Sequence, residues 1–199
     1  MRFVAFLRFQ LQILMLRWRW LLPLPVMGFI GYLLVNALKG YLLPAYQAGS
    51  EPNVNAWDAL FIAFGNAYYM TFVIANLFLI LVCDSMPESG LGQLALLRLG
   101  SRQTWWAAKN LSILLAAFVY TLVCMITVLA VASAGLSFAF DWSPWTSSYP
   151  ANALIPFHLP EQMSPFKAAI LLFSLDVLGF WTLGTLMQII TLYTHRYLY

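Results

Sequence analysis

Residues 98–110, Arg98-Leu99-Gly100-Ser101-Arg102-Gln103-Thr104-Trp105-Trp106-Ala107-Ala108-Lys109-Asn110, form a cationic island between two long apolar segments. Arg98, Arg102 and Lys109 fall in a short connection between stretches long enough to cross a bilayer. Short connections rich in Lys and Arg stay on the cytoplasmic side. The rest of the chain is placed from there.

Composition points the same way. Of 199 residues, 62% are hydrophobic and 9% are charged, which leaves too little polar surface to cover a water-soluble globule. The expected fold is all-α and polytopic. The net charge of +3 comes from residues flanking apolar segments, so it reads as topology and lipid-headgroup contact and argues against a nucleic-acid partner. Cys83 and Cys124 have no spacing suited to a disulfide framework or a metal site and read as small packing residues.

Ahead of the island, residues 1–17 carry Arg2, Arg8 and Arg17 among Phe3, Phe6, Phe9, Leu11, Leu14 and Leu16. Charges at those places suit an amphipathic helix lying in the membrane interface. With no small-residue cleavage site before Trp18, the segment is expected to be retained. Four spans are expected, at residues 21–43, 59–83, 111–140 and 166–193. Pro23 and Pro25 should make the entry to the first irregular. Residues 44–57 and the proline-rich 141–165 should be external loops, with 84–110 cytoplasmic. Arg2, Arg8, Arg17, Arg19, Arg98, Arg102, Lys109 and Arg196 then lie inside, against Lys39 and Lys167 outside. Both termini are expected in the cytoplasm, and the chain in the cell membrane.

No HExxH, GxSxG or phosphate-loop motif occurs. His158 and His195 fall on opposite sides of the expected topology, so no metal site and no catalytic residue is assigned. Asn66, Tyr69 and Asn76 would share a wedge of about 80° on a regular helix, facing a neighbouring helix or a cavity. Asp176 lies about 15 Å into the fourth span. A carboxyl group at that depth must face protein or water, as a cavity-lining or ion-coupled group or as a protonated or hydrogen-bonded partner of Asn66, Asn76 or Thr residues of neighbouring helices.

Between the second and third spans, residues 84–110 include Leu91, Leu94, Leu96, Leu97 and Leu99, an apolar helix too brief to span, ended by Gly100. The run LLRLGSRQTWWAAKNLSILL resembles the inner loop of ABC-2-type permeases of bacterial ATP-driven transporters, and the N-terminal interfacial helix agrees with that family. The resemblance implies a coupling helix, with Leu94, Leu97, Arg98, Arg102 and Trp105 contacting a separate ATP-binding-cassette ATPase. It also implies a second permease subunit, as a homodimer or heterodimer. No cofactor belongs to this chain, because ATP and Mg would sit on the partner ATPase. The family usually has six spans against the four expected here, and its substrates are too varied to carry over. An amphipathic or lipid-like substrate is the expectation. A membrane binding, immunity or assembly module using the 141–165 loop is the alternative, and an intramembrane enzyme built on Asp176 lacks a second catalytic group.

Overall fold

Proline both ends one element and begins the next near the start of this chain. The computed structural model describes residues 2–47, 54–83, 101–143, 146 and 163–197. Helix α1 (Arg2–Met15) gives way to a 3-10 turn at Trp18–Leu21, and α2 (Pro23–Gln47) follows. Pro23 stands in the first turn of α2, where its missing N–H costs nothing. The irregular junction expected from Pro23 and Pro25 is therefore present. Helix α2 continues to Gln47, past the end expected for the first span at Leu43.

The remaining helices are α3 (Ala56–Gly65), a π-helical turn (Tyr69–Ile74) continuing into α4 (Ala75–Val82), α5 (Arg102–Gly135) and α6 (Pro165–Tyr197). Among the described residues there is no strand, only an isolated bridge between Asn55 and Ser137. Among the described residues, three segments are long and apolar enough to cross a bilayer: Trp18–Gly40, Arg102–Gly135 and Pro165–Thr194. The second span expected at residues 59–83 is instead two helices, Ala56–Gly65 and Tyr69–Val82, bent by 70° at the break between them.

The third span also differs from expectation. Ser101 begins α5: its carbonyl accepts from Trp105 N at 3.2 Å and its hydroxyl from Thr104 N at 3.4 Å. The helix therefore starts nine residues before the expected Leu111, and Lys109 is two turns inside it rather than in a loop. At 34 residues it is roughly 50 Å long, well beyond a hydrocarbon core. It stops at Gly135, short of the expected Phe140, where the chain turns to pair with Asn55.

The chain divides into two compact units: residues 1–22, 75–121 and 175–199 form one, and 23–74 with 122–174 the other. In the first, Phe78, Tyr120 and Phe180 meet pairwise with ring centroids 5.2–5.4 Å apart. Gly184 lets α6 close on α5, since a Cβ there would lie 2.6 Å from Ile113 Cγ2. In the second unit, a Cβ on Gly135 would lie 2.5 Å from Val35 Cγ1, and one on Gly31 would lie 3.2 Å from Val131 Cβ. Small residues thus bring α2 and α5 together, as helices do where lipid offers no hydrophobic drive.

The second unit is also closed by a polar clasp. The Asn55 side chain accepts from the backbone N–H groups of Trp57 and Asp58, while Asp58 Oδ2 accepts from Asn55 N at 2.8 Å, a complete capping box. Thr146 donates its hydroxyl to the same carboxylate. Asn55 Nδ2 donates to Asp141 O at 2.8 Å, and Trp57 Nε1 to Ala139 O at 2.8 Å. Replacing Asp58 by Ala removes the box and strands the buried Asn55 N–H, a loss of about 2–3 kcal/mol. Thermal unfolding in detergent should show that drop. Asp58→Asn, which keeps an acceptor for the Asn55 amide, should recover part of it, and wild-type stability in the Ala variant would refute the clasp.

Candidate functional site

Buried polar side chains gather in the first unit. Helix α1 turns the ridge Phe6, Gln10 and Leu14 inward, and Lys109 Nζ on α5 donates to Gln10 Oε1 at 2.9 Å. Lys109 is only 2% exposed and its ammonium lies 5.9 Å from the Trp105 ring centroid, a cation–π distance. Trp20 Nε1 donates to Leu14 O at 2.7 Å, fixing the end of α1. On α6, Thr185 donates to Asn110 Oδ1 at 3.0 Å, tying that helix to α5.

One ridge of α6 carries a different kind of polar group. Asp176, Phe180, Gly184 and Gln188 succeed one another at intervals of four, and all are buried, so they line one face of the helix over about 18 Å. Asp176 Oδ2 and both amide atoms of Gln188 are buried without a hydrogen-bond partner. The indole N–H groups of Trp105 and Trp181 share that condition. Buried polar atoms are nearly always paired, so this concentration in one unit singles out the ridge of α6 as a candidate site.

The residues singled out from the sequence fall into three sets. Leu94, Leu97 and Arg98 lie outside the described residues, as does the short apolar helix around them. Arg102 is exposed in the first turn of α5, and Trp105 is half-buried one turn on. Asn66 and Tyr69 belong to the second unit, Asn76 and Asp176 to the first.

The shared wedge of Asn66, Tyr69 and Asn76 requires one regular helix, and that premise is corrected. Asn66 is the extended C-cap of α3 (φ −79°, ψ 115°), its side chain accepting from Tyr68 N at 2.8 Å. Tyr69 begins the π-helical turn, whose wider winding changes the angle per residue. Asn76 is exposed on α4, and Asp176 Oδ2 receives no hydrogen bond from Asn66 or Asn76.

Sequence reading gave Gln10 and Gln188 no role and took Lys109 only as a cation of the cytoplasmic connection. Gln188 could have been found by extending the ridge from Asp176 in steps of four. The Gln10 to Lys109 contact joins residues 99 apart, and no local pattern announces it. Among the described residues no group of three or more His, Cys, Asp or Glu converges.

Among the described residues, fold and site together define a helical chain, with three segments long and apolar enough to cross a membrane and with unpaired buried polar groups on α5 and α6. It belongs to the family described as "Protein of unknown function (DUF2705)", whose model matches residues 24–195. No curated protein and no solved structure matches it.

Proposed function

We propose that this chain is the membrane-spanning permease subunit of an ATP-binding-cassette transporter, working with a separate ATPase and a second permease subunit. The bent pair counts as one span, giving four in the cell membrane with both termini in the cytoplasm. The observation that carries the reading is the break at residues 66–68. Gly65, Ala67, Tyr68 and Phe72 are exposed around it. Irregular backbone at membrane depth is tolerated only where protein covers it or water lines it. Interrupted helices of this kind recur where transporters bind their cargo. Asn66 and Tyr69 at the break are polar groups such a path would use for an amphipathic or lipid-like substrate, and Asn76 and Asp176 are separate cavity-lining candidates within the first unit.

The chain's own work is mechanical, and hydrolysis of ATP belongs to the partner. The inner loop meets α5 at Ser101, and α5 holds α1 through Lys109 and Gln10. A displacement of the loop is thereby passed to two helices at once. A membrane binding or assembly module is the second reading, favoured by Trp142 Nε1, which donates to Met163 O at 2.7 Å and draws together the two ends of the 141–165 loop.

Where the neighbouring reading frame encodes an ATP-binding-cassette ATPase, co-expression with it separates the readings, and its absence there favours the binding module. The pair should co-purify, and reconstitution with this chain should raise ATP turnover severalfold over the ATPase alone. An ATPase that neither binds the chain nor responds to it removes the permease reading.

A further inference from the structure

We propose that the outward face of α1 is a binding site for an anionic phospholipid, with the phosphate on Arg8 and Gln12 and the acyl chains along Val4 and Phe9. Opposite the buried ridge of α1 runs an open groove of about 530 Å³, lined by Val4, Ala5, Arg8, Phe9 and Gln12. Arg8 and Gln12 are exposed and one helical turn apart, so they form a polar stripe. Val4, 67% exposed, flanks the stripe on one side, and Phe9 and Leu16, 38% and 80% exposed, flank it on the other. Water gives such a face no return for its apolar flanks. The boundary between headgroups and acyl chains matches both parts at once.

The helix cannot roll to hide this face. Gln10 is held by Lys109, and the Leu14 carbonyl by Trp20. Arg8 makes no ion pair or hydrogen bond among the described residues, so its guanidinium is available, and its planar fork of donors fits a phosphate. Charge decides which lipid. Residues 2–22 hold Arg2, Arg8, Arg17 and Arg19 and no Asp or Glu, so an anionic headgroup is favoured over a zwitterionic one. This site requires a membrane location but not the transport reading.

The test uses the full-length protein, stripped of lipid in mild detergent and offered equal amounts of phosphatidylglycerol and phosphatidylcholine of matched chain length, with retained lipid read by native mass spectrometry. Wild type should retain phosphatidylglycerol preferentially. Arg8→Gln should cut that preference about fivefold, Arg8→Lys should keep most of it, and Phe9→Ser should lower retention of both lipids. Lys167→Gln, which removes a cation elsewhere, should change nothing. An undiminished preference in Arg8→Gln, or an equal fall in Lys167→Gln, overturns the proposal. So does complete displacement by inorganic phosphate, or a change of oligomeric state in Arg8→Gln with lipid retention intact, which would assign the face to a second copy.

Discussion

On the permease reading, aspartate at both Leu94 and Leu97 should abolish co-purification with an ATP-binding-cassette ATPase while leaving the chain in the membrane. The expectation follows from what a coupling contact must bury. Each leucine packed into a subunit interface contributes about 1.5–3 kcal/mol, and two charges in their place would also have to be desolvated. The apolar loss alone weakens association roughly a hundredfold to ten-thousandfold, beyond what survives purification. Insertion should be untouched, since neither residue lies in an expected span. Arg102→Gln is the graded control. Arg102 is exposed in the first turn of α5, and a rim charge changes affinity far less than a buried apolar anchor. Undiminished co-purification of the double variant would remove residues 94 and 97 from the interface and leave the start of α5 as the remaining candidate.

How much of this was legible in the sequence depends on which force set each feature. The long helices were readable because runs such as 111–135 and 166–193 are predominantly apolar, and Pro23 marks a helix start by its missing donor. Boundaries failed where a side chain outside the apolar run decided them: Ser101 caps α5, and the Asn55 and Asp58 box starts α3 before Ala59. The break after Gly65 was invisible for another reason. Nothing in Gly65-Asn66-Ala67-Tyr68 forbids a helix, and the residues on either side are as apolar as a continuous span requires. The shared wedge of Asn66, Tyr69 and Asn76 was then drawn on a helix that the chain does not form. Asp176 stood out because an acid is rare at its depth, whereas Gln188, equally buried and carrying two unpaired atoms, did not, because glutamine near a helix end has no such rarity. The hold of Lys109 on Gln10 arises only when α1 folds back on α5.

Leucine at Asp176 and methionine at Gln188 should each make the protein more stable and, on the permease reading, slow transport. Leucine has the shape of aspartate and methionine nearly that of glutamine, so neither substitution opens a cavity. What each removes is a buried polar group whose contacts are unmet. Asp176 Oδ2 and both amide atoms of Gln188 have no hydrogen-bond partner, and such a group costs about 1–3 kcal/mol. The two positions are about 18 Å apart along α6, so their gains should add in the double variant. A residue kept against its own cost to stability has a use elsewhere. Asp176→Asn separates the two effects, since it keeps shape and polarity and removes the acid. If the carboxyl group lines the substrate path, this variant should hold wild-type thermal stability while substrate-stimulated ATP turnover falls. Lower stability in Asp176→Leu would mean that Asp176 joins helices rather than serving a substrate. Normal turnover in both Asp176→Asn and Asp176→Leu would end the claim that this residue takes part in transport, and Gln188→Met would then be left to decide whether the ridge of α6 has any part in it.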